Sequence, residues 1–175
     1  MELINDKYFV KHYQIWSDGV FPSSNLDVLL YKKVLNLPFF FSARAVKDLF
    51  KKNNWYNSWK DGLYTYHHYH STAHEVLGVY KGDTIIELGG EHGVKIEIEK
   101  GDVLVIPAGV AHKNLGDKTQ VKCVGAYPDG ENYDMNYGKL DERIKAIENI
   151  KKVKIPSKDP VFGFHGEIQH YWKGK

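Results

Sequence analysis

The chain has 175 residues, 42% of them hydrophobic and 26% charged, with a formal net charge of +2; such a length suits one domain that buries its own core without disulfides. Lysine supplies nearly all the positive charge, and Arg44 and Arg143 are the only arginines, whereas phosphate and base recognition favours arginine, so nucleic acid is set aside as a partner. No stretch approaches the roughly 20 apolar residues of a membrane span, and the amino-terminal MELINDKYFVKHYQIW has no uninterrupted apolar segment of signal length, which predicts a soluble, cytoplasmic protein without membrane contact.

In chain order, the first predicted element is a β-rich segment, Asp27 to Val34, after the turn-like FPSSN. Ser42 to Lys52 (SARAVKDLFKK) reads as a short helix, with Ser42 at its N-cap and Ala45, Val46, Leu49 and Phe50 as an apolar stripe. The aromatic stretch NNWYNSWKDG reads as a turn folded over a mouth or edge of the downstream strands. From Leu63 to Ala126, the short strand-like runs LYTYHHYH, HEVLGVY, TIIEL, VKIEIEK, VLVIP, VAHKN and TQVKCVGA are separated by Gly and Asp turns. Short strands at close, regular spacing predict an all-β sandwich or barrel. Within it, the alternating VKIEIEK predicts one wet face, and the continuously apolar VLVIP predicts a strand covered on both faces. YPDGENYDMNYG predicts a long ordered loop, and Asp141 to Lys152 a helix with Ile144, Ile147 and Ile150 along one side, stopped by Pro156 and Pro160. The aromatic tail VFGFHGEIQHYW adds a strand or packs on the outside of the barrel.

Chemistry concentrates between Gly62 and Gly82, GLYTYHHYHSTAHEVLGVYKG. Side chains two apart in a strand share a face, so His68 and His70 project together, with Tyr64 and Tyr66 in the same phase. The four residues STAH separate His70 from Glu75, enough for a tight connection that returns a carboxylate to the imidazoles, with Leu77 and Val79 in phase behind it. A second segment, GDVLVIPAGVAH, brings His112 after a strand and a Pro-x-Gly turn. Three imidazoles and one carboxylate are a donor set for a divalent first-row ion such as Fe, Mn, Ni or Zn. His68, His70, Glu75 and His112 are therefore the candidate metal ligands, and Tyr64, Tyr66, Leu77 and Val79 the candidate wall of a substrate pocket. Alternation sends His67 to the outer face, and His74 reads as a turn residue. Cys123, the single cysteine, has no intrachain disulfide partner and reads as a small buried hydrophobe.

These spacings resemble the two motifs of the cupin superfamily, G-x5-H-x-H-x4-E-x6-G and G-x5-P-x-G-x2-H-x3-N. The first is met at Gly62, His68, His70, Glu75 and Gly82, and the second at Gly101, Pro107, Gly109 and His112. Gly116 stands where the closing asparagine is expected, with Asn114 two residues early. The run HYHSTAHEVLGVYKG also resembles a group of small bacterial cupins. The resemblance implies an all-β chain built on a cupin-type antiparallel β-barrel, the jelly-roll-like double-stranded β-helix, with short peripheral helices. One domain over residues 1–175 is expected, its barrel core at about 63–126 and both ends packed on it. One divalent transition metal ion and a small-molecule ligand are also implied.

Four protein ligands leave one or two coordination positions open, so the expected function is that of a small-molecule metalloenzyme, most nearly an oxidoreductase of the dioxygenase kind. The alternatives are a non-catalytic ligand-binding cupin with a structural metal, and a metal-dependent isomerase or lyase, because fold does not choose among them. No residue is assigned a catalytic role. Cupins resembling this one are often dimers, and the aromatic ends offer surfaces for pairing, so a homodimer is expected.

Overall fold

Alternating burial assembles two antiparallel sheets with one apolar core between them and a second behind the larger sheet. The computed structural model describes residues 2–174. Its strands are β1 (Phe9–Tyr13), β2 (Val28–Lys32), β3 (Trp55–Asp61), β4 (Glu75–Lys81), β5 (Asp83–Leu88), β6 (Val94–Glu99), β7 (Val103–Ile106), β8 (His112–Asn114) and β9 (Lys122–Pro128). Three helices accompany them, α1 (Ser42–Lys52), α2 (Leu140–Ile150) and α3 (Glu167–Tyr171). The larger sheet runs β1-β2-β7-β4-β9-β3 and the smaller β6-β5-β8. This is the antiparallel cupin-type barrel. Three strands of the larger sheet, β1, β2 and β3, lie outside the 63–126 span expected for its core. No helix among the described residues is long and apolar enough to cross a membrane.

Strand phase sorts residues between the two cores. In β7, Leu104 and Ile106 point into the barrel with Leu77, Ile86, Ile96 and Ile98, while Val103 and Val105 point outward into the second core, which α1 also joins. The continuously apolar run is thus covered on both faces, as its pattern predicts. In β4, Glu75, Leu77 and Val79 face inward, and Val76 and Gly78 face α1. Gly78 is required there, because a Cβ would lie 2.4 Å from Val46 Cγ1 and 2.9 Å from the Phe50 ring. Among the residues of β6, Lys95 and Glu97 are exposed and Ile96 and Ile98 buried, which is the wet face its alternation predicts.

Several local expectations are corrected. The stretch read as a turn before Leu63 contains the edge strand β3, paired with β9 and bulged between Tyr56 and Trp59. Its asparagines supply the left-handed residues, Asn54 at φ 66° and Asn57 at φ 53°, so the turn signal marks a bulge and a strand entry rather than a loop. LYTYHHYH is not a regular strand. It crosses the barrel end and pairs only through isolated bridges, His68 with His112 and Tyr69 with Asn136. Alternation still sends His67 away from the cavity, as predicted: its Nε2 lies 3.2 Å from Glu87 Oε2, on the face of β5 opposite Ile86 and Leu88, where Phe21 covers it.

Ser42 is the first helical residue of α1, not its cap; its hydroxyl donates to the Pro38 carbonyl at 2.5 Å, and Phe41, at φ 64°, takes the cap position. The tail forms α3, which buries Ile168 and Trp172 in the outer core, so it packs on the barrel without adding a strand. His74 is fully buried; its Nδ1 accepts the Ala108 N–H at 2.9 Å and its ring lies against Trp172.

Candidate metal centre

His68 arrives on the irregular crossing, His70 at the end of it, Glu75 on the first residue of β4, and His112 on the first residue of β8. The double backbone bond between His68 and His112 (N to O 3.2 and 2.9 Å) sets two of the rings side by side, with centroids 4.2 Å apart. The structure brings one ligating nitrogen from each of His68, His70 and His112 within 4.8 Å of the others. All three are buried, as is Glu75.

Each imidazole is anchored through its far nitrogen. Nδ1 of His68 faces the Tyr66 carbonyl at 3.2 Å, Nδ1 of His70 the Asp134 carbonyl at 2.6 Å, and Nδ1 of His112 the Val110 carbonyl at 3.2 Å. A carbonyl only accepts, so each Nδ1 carries the hydrogen and each Nε2 presents a lone pair to the site. Glu75 Oε2 stands 3.4 Å from Nε2 of His70 and 3.3 Å from Nε2 of His112. Two acceptors facing one another across that distance need positive charge between them. A proton on one Nε2 serves one contact, whereas a metal ion serves all the lone pairs at once, and the donor set of imidazoles and carboxylate suits a divalent first-row ion.

With no ion bound, protonation of His70 at Nε2 supplies that positive charge to Glu75. Burial would raise the Glu75 carboxyl, but the charge of His70 and the hydrogen bonds from His112 and His70 outweigh it and hold the group well below its usual range. Burial, reinforced by the charge of neighbouring His112, lowers His68 to about 3, so this ring stays neutral and available as a ligand. His70 is raised, because the Glu75 carboxylate overcomes the opposing effect of burial.

Glu75 is aimed by residues that the motif does not contain. The Tyr127 hydroxyl donates to Glu75 Oε1 at 2.8 Å and accepts from Trp59 Nε1 at 2.9 Å, which leaves Oε2 turned to the histidines. Trp59 reaches this position because β3 bulges and because Gly125 has no side chain; a Cβ there would lie 2.1 Å from the indole. Asp134, whose carbonyl holds His70, is itself fixed by its carboxylate, which accepts from Ser71 N at 2.6 Å, Ser71 Oγ at 2.5 Å and Asn136 Nδ2 at 2.8 Å. Asn114, two residues early in the second motif, closes the turn after β8: its Oδ1 accepts from Gly116 N at 2.9 Å and from the Thr84 hydroxyl at 2.6 Å.

The four residues open into a cavity of about 200 Å³ whose walls include Trp59, Leu63, Ile86, Tyr127 and Tyr133. Of the four predicted pocket residues, Tyr64 and Leu77 line it. Tyr66 stacks on the outer side of Tyr64, with ring centroids 4.8 Å apart, and Val79 lies deeper in the apolar core. Cys123 is buried in that same core, where burial and the Glu75 charge push the thiol up and keep it protonated.

The missing wall residues had one usable signal. Val121 and Cys123 face the barrel core, and continuing their alternation through Gly125 reaches Tyr127. Nothing local singles out Trp59, Tyr133 or Asp134.

A profile of the family described as Cupin matches residues 60–136. The chain is 38% identical over 143 residues to the uncharacterized protein YjlB of Bacillus subtilis (strain 168), an alignment covering 78% of this chain and 87% of that one. Among solved structures, the acireductone dioxygenase of Bacillus anthracis, with a cadmium ion in its active center, aligns at 15% identity and a TM-score of 0.39 over 73% of this chain and 82% of that one. The dTDP-6-deoxy-D-glucose-3,5-epimerase of Legionella pneumophila aligns at 12% identity and a TM-score of 0.38 over 71% of this chain and 74% of that one.

Proposed function

This chain belongs to the cupin family, and we propose that it is a metal-dependent small-molecule enzyme, most nearly an oxidoreductase of the dioxygenase kind, with His68, His70, Glu75 and His112 as the ligands of one divalent ion. The observation that carries this reading is the orientation of the donors: three Nδ1-anchored imidazoles with ligating nitrogens within 4.8 Å of one another, and the Glu75 carboxylate beside two of them, at the wall of an aromatic cavity. When bound, the ion supplies a Lewis acid centre and, if redox-active, a meeting point for oxygen and an oxygen-bearing substrate.

The chain's own residues restrict the chemistry further. The imidazoles lining the cavity have their Nδ1 hydrogens committed to carbonyls, and Glu75 is committed to Tyr127 and the histidines. The remaining carboxylate on its wall, Asp61, is held below its usual range by the Gly62 N–H first and by Lys118 and Lys122 after it. Among the described residues, Asp61 is thus the one carboxylate or imidazole on the cavity wall outside the candidate ligand set, an arrangement that favours oxygenation of a chelated substrate over proton transfer in an isomerase or lyase. The cavity's rings and aliphatic side chains, with no lysine or arginine among the lining residues, favour an uncharged substrate that chelates through oxygen. Trp59, Tyr127 and Tyr133 present ring surfaces to it and exclude water, which strengthens every charge interaction at the centre.

Metal analysis of protein purified without an affinity tag tests the ligand assignment: His70→Ala and His112→Ala are expected to lose the ion that the parent retains. Oxygen-uptake screening of the iron-reconstituted parent over catechols, enols and diketones tests the activity. Unchanged metal content in both variants sinks the site. Retained metal with no exchangeable water by relaxation of the manganese-loaded protein sinks the enzyme and leaves a ligand-binding cupin with a structural ion.

A further inference from the structure

Trp59, Tyr127 and Glu75 form a hydrogen-bonded row that runs from the edge of the larger sheet to the candidate ligands. The Trp59 indole N–H donates to the Tyr127 hydroxyl at 2.9 Å, and that hydroxyl donates to Glu75 Oε1 at 2.8 Å. Tyr127 is buried, whereas Trp59 is half-buried on β3, an edge strand of the sheet. Tyrosine and tryptophan are among the side chains that give up an electron most readily, so the row joins the centre to the surface through two oxidisable groups. A phenol that has lost an electron is a strong acid, and its oxidation is easiest where a base already accepts its hydrogen bond. Glu75 Oε1 is such a base. Many donors could aim the carboxylate; here the donor is a phenol, with an indole N–H on its oxygen. Tyr133 stacks on Tyr127 with centroids 4.3 Å apart, but it hydrogen-bonds no carboxylate among the described residues.

We propose that Tyr127 and Trp59 are an electron relay, which draws oxidising equivalents out of the iron-loaded centre when hydrogen peroxide reaches it without substrate. This rests on the metal reading above. Peroxide is the oxidant, and its O–O bond breaks to give two waters. The two electrons come one from iron(II) and one from Tyr127, and the two protons come one from Tyr127 by way of Glu75 Oε1 and one from solvent. Iron(III) and a Tyr127 phenoxyl radical remain. Trp59 then passes an electron and its Nε1 proton to the Tyr127 oxygen across the 2.9 Å contact. A soluble enediol or thiol restores Trp59 at the surface by giving up one hydrogen atom. The relay thereby spares the ligand imidazoles from oxidation.

The test is electron paramagnetic resonance of the iron(II)-saturated full chain, frozen after mixing with hydrogen peroxide, with iron content measured in every sample. The parent is expected to give an organic radical whose signal narrows when the protein carries ring-deuterated tyrosine or tryptophan. Tyr127→Phe, at iron concentrations that saturate it, is expected to lose that signal. Trp59→Phe is expected to keep a tyrosyl signal that outlives the parent's in ascorbate, because the onward donor is gone. Circular dichroism of each variant checks that the fold is retained. A tyrosine that only aims Glu75 yields none of these signals. Protein that binds no iron overturns the metal reading and the relay together. Iron-loaded parent without an organic radical, a radical that survives Tyr127→Phe, or a Trp59→Phe signal indifferent to deuterated tyrosine overturns the relay and leaves the metal reading standing.

Discussion

Tyr127→Phe isolates the group that aims the carboxylate. Tyr127 is 1% exposed, and its hydroxyl joins Glu75 Oε1 at 2.8 Å to Trp59 Nε1 at 2.9 Å. Phenylalanine preserves the ring and its stack on Tyr133, whose centroid is 4.3 Å away, so what is removed is the hydrogen bond to the ionised Glu75 together with the one accepted from Trp59 Nε1. A hydrogen bond to an ionised group contributes about 1.5–3 kcal/mol, and loss of a partner that orients a metal ligand costs about 10–100-fold in affinity. Competition for zinc against a chromophoric chelator is therefore expected to show the dissociation constant rising by about that factor. The cobalt-loaded variant should also show a changed visible spectrum, a readout of coordination geometry that mere destabilisation does not move. Trp59→Phe acts through the same hydroxyl, so adding it to Tyr127→Phe should weaken binding little further. A dissociation constant within twofold of the parent, with an unchanged cobalt spectrum, would refute the idea that Tyr127 positions Glu75.

Chelation with EDTA should lower the thermal midpoint of the parent, since an ion at a hundred times its dissociation constant adds about 2.7 kcal/mol, and should leave His70→Ala unmoved; a parent midpoint indifferent to EDTA refutes resident metal. In the metal-free protein, burial holds the His74 imidazole down at about 4 against an ordinary 6.5. The unfolded chain therefore takes up that proton first as pH falls. Its stabilisation is complete above pH 6.5 and is lost between 6.5 and about 4, at about 1.4 kcal/mol per pH unit. His74→Gln should remove this slope, and urea midpoints that fall equally for parent and variant between pH 7 and 5 would refute it. Gly78→Ala drives a methyl into Val46 and Phe50 and should cost about 1–3 kcal/mol by overpacking, read as a lower thermal midpoint; an unchanged midpoint would mean that α1 shifts freely.

Spacing by itself determined the four candidate ligands. His68, His70 and Glu75 are constrained by one short connection, and the turn before His112 is written in Pro107 and Gly109. Apolar pattern likewise determined that Ile96 and Ile98 of β6 are buried between exposed Lys95 and Glu97, because a pleated strand turns successive side chains to opposite faces, and that all of β7 is buried. Pairing was decided elsewhere. LYTYHHYH has a strand-like pattern, but at the barrel end it forms only isolated bridges, to His112 and Asn136; without a ladder, Tyr66 stacks on Tyr64 and does not line the cavity. The partners of the ligands were decided in the same way. Tyr127 meets Glu75 because β4 and β9 pair with Val76 opposite Ala126, and Asp134 meets His70 across 64 residues of chain. Ile144 remains in solvent because α2 lies on the barrel along the Ala146 side. Ligand spacing is local geometry, fixed by bond lengths and strand repeat; register, the supports behind each ligand and the exposed face of α2 are contacts between distant segments, and only the packed chain chooses them.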